Sequence, residues 1–342
     1  MRFIDVVSTS QAVADVSGRS AKRDLLAALL TRAQPDEVTP VIGFLVGEPR
    51  QGRIGVGWQT ITSAEQPPVA EPTVTVAEVD ALLTELAATA GAGSVARKQG
   101  LLGAVLRRTT GAEAAFLVQL VGGGLRQGAL AGVMTDAVAT ASAIPATVIR
   151  RAIMLGGRLD TVARLALTEG RDAVEAVSLE VGRPLQPMLA SPSASVTEAV
   201  ADLGEAAVEW KLDGIRIQVH RVDDEVTVYT RNLNDITDRS PDVVKIVRSL
   251  PASHLVLDGE VLVVDPGTGH PVAFQDSASE LRSDGGRGGV VRPAFFDVLH
   301  VDGRDLIDEP LAVRRQFLAE ITGEWMIPGT ITDDADTAEA VL

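Results

Sequence analysis

The sequence predicts a multi-domain protein in which an all-α domain is followed by an α+β domain. With 342 residues, 46% of them apolar, the chain is long enough for two domains that each bury a core. Helical spacing of apolar residues extends to about residue 185, whereas the alternation typical of strands prevails later. Three prolines and several small polar residues between the two halves favour an extended connection. We therefore predict domains over residues 1–185 and 198–342, joined by a linker over residues 186–197.

The first half is assigned to helices from the spacing of its apolar residues. Residues 20–24 precede Leu25, Leu26, Leu29 and Leu30, and this order is typical of a helix start. The segment 60–75 is rich in proline and threonine and predicts a loop. Further helices are predicted at 38–44, 76–90, 116–121, 129–141, 146–154 and 160–167.

The second half is assigned to a mixed fold because apolar residues alternate along short segments. Strands are predicted at 205–212, 215–221, 225–230, 255–257 and 261–264, and a helix at 311–321. Asp223-Asp224 is expected to form a hairpin turn. The first two strands are expected to meet at Asp213-Gly214, and Asp258-Gly259-Glu260 is expected to form a tight bend between the last two.

The composition limits the class of protein. The chain has no cysteine, which excludes a disulfide scaffold and a thiolate zinc site and fits a reducing cytoplasm. The first residues lack the apolar segment of a signal peptide, and no uninterrupted apolar run approaches the length of a membrane span. We therefore expect a cytoplasmic protein without a membrane anchor.

The charge is unevenly distributed along the chain. A net charge of −15 argues against a protein that binds nucleic acid over its whole surface, because neutralising phosphates requires clustered lysine and arginine. Residues 97–183, however, contain 11 basic and 7 acidic residues. Composition alone leaves two interpretations of this excess, a solvated surface and a phosphate-binding surface.

Lys211 is the strongest candidate for chemistry. The chain has four lysines and uses arginine at its other 27 basic positions. An amine can be made nucleophilic by its surroundings, whereas a guanidinium keeps its proton. Lys211 begins the string Lys-x-Asp-Gly-x-Arg, which average residue usage predicts in roughly a few chains per thousand of this length. The alternative is a partly exposed strand lysine that pairs with Glu209 or Asp213.

Four further motifs follow Lys211 in order. Arg231 begins the string Arg-Asn-Leu-Asn-Asp-Ile-Thr after a predicted strand, and Asp258-Gly259-Glu260 lies between two others. Phe296 lies in Ala-Phe-Phe-Asp-Val-Leu, and a turn at 303–306 comes next. Each motif alone is weak, because Asp-Gly-Glu is typical of a β-turn and Phe296 is typical of a core residue.

Together these motifs resemble those of a known enzyme family. The string at Lys211 is similar to the nucleotidyltransferase motif of the DNA ligase, RNA ligase and capping-enzyme superfamily. The later motifs, Pro184-x-x-Pro-Met-Leu-Ala and Gly124-Leu-Arg126-x-Gly, resemble ATP-dependent DNA ligases of the compact actinobacterial type. The resemblance covers nearly the whole chain. It implies an N-terminal helical DNA-binding domain and an adenylation domain of α+β type that is incomplete at its C-terminus.

The resemblance also implies roles for individual residues. Lys211 would attack the α-phosphorus of ATP and become adenylated, with ATP and Mg²⁺ as cofactors. The adenylated enzyme would then seal nicks in duplex DNA. The implied cofactor contacts are Glu209 at the adenine edge, Phe296 against the adenine face, Arg216 and Arg231 at the ribose and phosphates, and Glu260 at the ribose or Mg²⁺.

For the helical half, the implied partner is nicked double-stranded DNA, and the protein is expected to act as a monomer away from membranes. Arg126, Arg150 and Arg151 are the predicted phosphate contacts. Glycines at 122–124 would let backbone amides approach a phosphate closely. The alternative for this glycine run is an ordinary helix C-cap beside a surface arginine.

The chain departs from the family at its later motifs. The family's adenylation domain ends with further lysine motifs, but Lys245 is the only lysine after Lys211 and fits neither. We therefore expect a truncated ligase that is impaired in self-adenylation. Two other hypotheses remain: a noncatalytic DNA-binding fragment, and an RNA-ligase or capping-type nucleotidyltransferase, which the N-terminal resemblance disfavours.

Overall fold

The protein consists of two structural units, Met1–Ser178 and Leu179–Leu342. The computed structural model describes residues 1–52, 54–125, 130–188, 190–264 and 290–341. The first unit is helical and the second combines helices with antiparallel sheets, which confirms the predicted fold class. Among the described residues, no helix is both long and apolar enough to cross a membrane.

In its described part, the first unit forms helices around one core. Phe3, Phe44 and Phe116 meet edge to face within this core. Two helices, α5 and α7, begin at capping boxes, in which Thr75 pairs with Glu78 and Thr110 with Glu113. The helices are α1 (Phe3–Asp15), α2 (Arg19–Leu30), α3 (Val38–Val46), α4 (Trp58–Ser63), α5 (Val76–Ala88), α6 (Ser94–Leu106), α7 (Gly111–Val121), α8 (Leu130–Ser142), α9 (Ala146–Gly156), α10 (Leu159–Thr168) and α11 (Arg171–Glu175).

The second unit contains a five-stranded sheet in the order β3-β2-β4-β5-β6 and a two-stranded sheet formed by β1 and β7. Helices α13 and α14 pack on the larger sheet and share its core. The strands are β1 (Ala206–Glu209), β2 (Ile215–Val222), β3 (Glu225–Thr230), β4 (His254–Val264), β5 (Val290–Val301), β6 (Arg304–Asp305) and β7 (Gly329–Thr332). The helices are α12 (Val196–Leu203), α13 (Pro241–Arg248), α14 (Leu311–Thr322) and α15 (Ala335–Glu339).

The second unit begins earlier than the predicted boundary at residue 185. The Gly182 N–H donates to His220 Nδ1 at 2.9 Å, and the Leu185 N–H donates to Gln218 Oε1 at 2.7 Å. The Tyr229 hydroxyl donates to the Gly182 carbonyl. Burial, with a smaller effect of His300, lowers the pKa of His220 to about 4, so a neutral ring accepts the Gly182 hydrogen bond. These bonds attach residues 182–185 to β2 and β3.

One predicted turn is wrong, and one predicted strand is shorter than expected. Strand β1 ends at Glu209, before the predicted end at residue 212. Strands β1 and β2 belong to different sheets, so Asp213-Gly214 lies on the connection between two sheets. Asp258, Gly259 and Glu260 lie inside the continuous strand β4, with irregular pairing to β5, instead of forming a bend. The predicted hairpin at Asp223 is confirmed between β2 and β3.

Candidate active site

One cavity of about 1390 Å³ brings the predicted site residues of the second unit together. They come from the end of β1, the segment between β1 and β2, β2 itself, the residue after β3, the interior of β4, and β5, and thus from segments that are far apart in sequence. Lining residues include all six that the sequence singled out: Glu209, Lys211, Arg216, Arg231, Glu260 and Phe296. Trp210, which falls within the strand predicted at 205–212, also lines the cavity and is 53% exposed.

Lys211 lies on an irregular segment between β1 and β2. Its side chain is exposed and its Nζ donates to the Leu212 carbonyl at 3.1 Å. The segment is anchored to β4 where the Gly214 N–H donates to Glu260 Oε1 at 3.1 Å. A Cβ at Gly214 would lie 2.3 Å from the Val261 carbonyl oxygen, so this contact requires glycine. The amine is therefore held at the cavity by backbone contacts on its C-terminal side.

Arg216 is fixed by several groups. Its Nε and Nη2 donate to the two oxygens of Asp258 at 3.1 and 2.7 Å, a bidentate ion pair. Its Nη1 donates to the Met188 carbonyl, and the guanidinium lies 5.5 Å from the centre of the Phe296 ring. Burial raises the pKa of Asp258, and the Arg216 charge opposes that rise. Arg216 thus presents a fixed positive charge beside an aromatic ring.

Two consecutive arginines of α14 engage carboxylates near the cavity. Arg314 pairs with Asp297 through Nε and Nη2 at 2.8 and 2.9 Å. Arg315 is buried and donates to Glu209. Burial raises the pKa of Glu209, Arg315 opposes the rise, and Asp297 adds to it. Sequence reasoning missed both arginines, although Arg315 shares the buried helical face of Leu318 and Thr322.

Glu260 is the residue predicted to contact Mg²⁺. Burial raises its pKa, while the Gly214 N–H and the nearby Lys211 oppose the rise. Among the described residues, no group of three or more carboxylates or histidines forms a preassembled metal site. A single carboxylate nevertheless suits Mg²⁺, which is usually held by one or two carboxylates together with substrate phosphates.

The three arginines predicted to contact DNA lie in the first unit, and the structure describes two of them. Arg126 lies outside the described residues. Arg150 on α9 forms an ion pair with Asp136, which also binds Arg19. Arg151 follows on the same helix and is exposed. Arg150 therefore has a structural partner that sequence reasoning did not foresee.

Comparisons with known proteins identify relatives that match nearly the whole chain. A protein of Saccharopolyspora erythraea named "Probable DNA ligase" is 46% identical over 99% of this chain and 66% of its own length. A protein of the same name from Rhodococcus jostii is 45% identical over 99% of this chain and 67% of its own length. Family models for the ATP dependent DNA ligase domain and the DNA ligase N terminus match residues 187–341 and 59–139. This chain belongs to the ATP-dependent DNA ligase family.

The family assignment confirms the resemblance on which the sequence analysis relied. A solved structure named Pmar-Lig_PreS3 is similar in fold to this chain, with a TM-score of 0.56 and 15% identity over 98% of this chain and 68% of that one. The chain spans 66% of the length of the relative from Saccharopolyspora erythraea. The family models match one region in each structural unit. The match over residues 187–341 covers the candidate cavity.

Proposed function

We propose that Lys211 of this ligase accepts AMP from ATP as the first step in sealing nicks in duplex DNA. The single observation that supports this proposal most strongly is the shared cavity. It combines an exposed amine, fixed carboxylates, an aromatic ring and several arginines. This set suits a nucleoside triphosphate, whose base is planar and apolar on its faces and whose phosphates are anionic.

The proposed reaction proceeds in covalent steps. The neutral Lys211 amine attacks the α-phosphorus, a phosphorus–nitrogen bond forms, the bond to the bridging oxygen breaks, and pyrophosphate leaves. AMP then passes from Lys211 to the 5′-phosphate of a nick. Attack by the 3′-hydroxyl on that phosphate joins the strands and releases AMP. The protein's contribution is mainly positioning and charge neutralisation.

The other cavity residues bind and orient ATP. Phe296 would lie against the adenine face, and Glu209 would accept a hydrogen bond at the base edge. Arg216 and Arg231 would hold the ribose and phosphates. Glu260 would hold the ribose or Mg²⁺, and bound Mg²⁺ would neutralise phosphate charge.

We propose that the first unit binds the nicked duplex. Its positive segment and the arginines at 126, 150 and 151 would contact phosphates without reading the sequence of bases. The protein would act as a monomer in the cytoplasm.

The Lys211→Ala variant separates the ligase from a noncatalytic DNA-binding protein. Incubation with α-labelled ATP and Mg²⁺ should label the parent protein and leave the variant unlabelled. Affinity for nicked duplex, measured across a salt series, should be the same for both. Equal labelling of the two proteins would refute the role of Lys211. Salt-dependent DNA binding without any label in the parent would favour the noncatalytic alternative.

A further inference from the structure

The carboxylate of Glu209 is held in place by two features outside its own strand. Glu209 is the last residue of β1 and lies opposite Gly329 of β7. A Cβ at Gly329 would lie 3.1 Å from Glu209 Cγ and 2.4 Å from the Val208 carbonyl oxygen. The absence of a side chain at Gly329 therefore leaves the space in which the Glu209 side chain lies.

The second feature is Arg315, which reaches Glu209 from α14. Its side chain is 9% exposed, and it donates to Oε1 of Glu209, whose side chain is 27% exposed and lines the cavity. Among the described residues, the structure shows no hydrogen bond to Oε2. One carboxylate oxygen is thus anchored by a buried cation, and the other can accept a hydrogen bond from a ligand.

Removing Arg315 would leave Glu209 in an unfavourable setting. Burial and the nearby Asp297 both favour the protonated form of Glu209, and Arg315 is the cation that opposes them. The adjacent Arg314 is engaged with both oxygens of Asp297 and is not a second partner of Glu209. Without Arg315, the Glu209 side chain would be free to rotate, and its carboxyl would take up a proton more readily.

We propose that Arg315 is a positioning residue that fixes Glu209 as a hydrogen-bond acceptor and so makes the cavity select a nucleobase edge bearing an amino group. The proposal rests on the proposed function, in which Glu209 meets the base edge. Adenine carries an amino donor at position 6, whereas hypoxanthine carries a carbonyl acceptor there. A fixed carboxylate attracts the first and repels the second, while a mobile or protonated carboxyl accommodates either.

The test compares binding of ATP and of ITP, which differ at position 6 and at the ring nitrogen beside it and share the sugar and triphosphate. Isothermal titration calorimetry gives both dissociation constants without requiring adenylation. The parent protein should prefer ATP by about tenfold or more, because the wrong base leaves polar groups unpaired. In R315M this preference should fall by about tenfold. R315K, which keeps the charge but not the planar fork, should retain part of it.

Two further variants serve as controls. R221M removes another buried arginine of the same unit, whose contacts are the carbonyls of Asp223, Val247 and Leu250, so it should lower stability without changing the ATP/ITP ratio. E209Q keeps Arg315 and the shape of Glu209 but offers an amide donor to a carbonyl. It should reduce the preference for ATP even if R315M fails to fold.

The possible outcomes separate the two proposals. Equal affinity of the parent protein for ATP and ITP, or an unchanged ratio in a folded R315M, would overturn the role of Arg315. If R315M does not fold, an unchanged ratio in E209Q would overturn it instead. Clear ATP selectivity that R315M abolishes would support the positioning role. Tight ATP binding without labelling of Lys211 would contradict the proposed function alone.

Discussion

Three carboxyl groups at or beside the cavity carry raised pKa values. Burial is the largest cause for Glu209, Asp258 and Glu260, and neighbouring arginines or Lys211 oppose it in each case. A raised pKa means that the folded state binds the proton more tightly than the unfolded state does. Ionisation of these groups therefore lowers the free energy of unfolding as the pH rises. The site retains charges that reduce the stability of its own fold.

Glu260→Gln tests this conclusion because glutamine still accepts the Gly214 hydrogen bond without a charge. The free energy of unfolding of the parent should fall as the pH rises from 4.5, the ordinary pKa, through the raised folded value. In E260Q this fall should be smaller, because Glu209 and Asp258 still contribute, and the variant should be more stable at pH 8 by less than about 1 kcal/mol because Glu260 is partly exposed. Urea unfolding over a pH series measures the difference. A variant that is less stable than the parent at pH 8 would contradict the sign.

At the level of residues, the sequence predicted which side chains share the cavity but not what holds them. Lys211, Glu260 and Phe296 could be named because their motifs resemble those of a known family. Arg315 could not, because its partner Glu209 is more than a hundred residues away and arginine in an amphipathic helix is usually solvated. The signal was its place on the buried helical face, three residues before Leu318.

At the level of elements, alternation predicted the existence of strands but not their pairing. Strand β1 pairs with β7, near the end of the chain, and not with the adjacent β2. The motif at Asp258 suggested a bend because Asp-Gly is a common turn signal. Gly259 instead permits close packing of β4 on β5, since a Cβ there would lie 2.7 Å from the Ala294 carbonyl oxygen. A single sequence does not show whether a glycine is required for a backbone turn or for the close approach of two strands.

Gly214→Ala should disturb both the fold and the site. Its Cβ would clash with the Val261 carbonyl oxygen and push the Lys211 segment away from β4. We expect a loss of about 1–3 kcal/mol in the free energy of unfolding and labelling of Lys211 that is at least about tenfold slower. Urea unfolding and single-turnover labelling with α-labelled ATP measure the two effects.

Gly100→Ala is a matched control for this substitution. Gly100 lies in α6, is exposed, and has no atom within 4 Å of an added Cβ. The change should stabilise the first unit by about 0.5–1 kcal/mol and leave labelling unchanged. If G214A behaved like G100A in both measurements, the contact between the Lys211 segment and β4 would not matter.

At the level of the whole molecule, the change from helical to alternating spacing predicted two units in the correct order. The units have separate hydrophobic cores, as expected for domains of this size. The boundary was predicted too late because proline and small residues suggested a free linker. Hydrogen bonds from Gly182 and Leu185 to β2 side chains are long-range contacts, which composition does not reveal.

Neutralising Arg126, Arg150 and Arg151 to glutamine tests the proposed DNA-binding role of the first unit. The logarithm of affinity for nicked duplex falls with the logarithm of salt concentration, and each lost phosphate contact reduces that slope by about 0.9. Fluorescence anisotropy over a salt series measures it. An unchanged slope would remove these three arginines from the interface.

The control for this triple variant has the same change in net charge. Arg158, Arg164 and Arg171 each form an ion pair with an acidic neighbour on or next to α10 and α11. Their replacement by glutamine should leave the salt slope close to that of the parent protein. A similar decrease in both triple variants would indicate a general effect of net charge and no specific surface.

The location of the adenylyl group shows whether Lys211 is the nucleophile. The protein is incubated at high concentration with ATP and Mg²⁺ for a prolonged period and then digested, and its peptides are analysed by mass spectrometry. We expect all added AMP on the peptide containing Lys211, attached to its Nζ, and none in the Lys211→Ala variant. AMP on another side chain, or none on any peptide, would show that Lys211 is not the nucleophile.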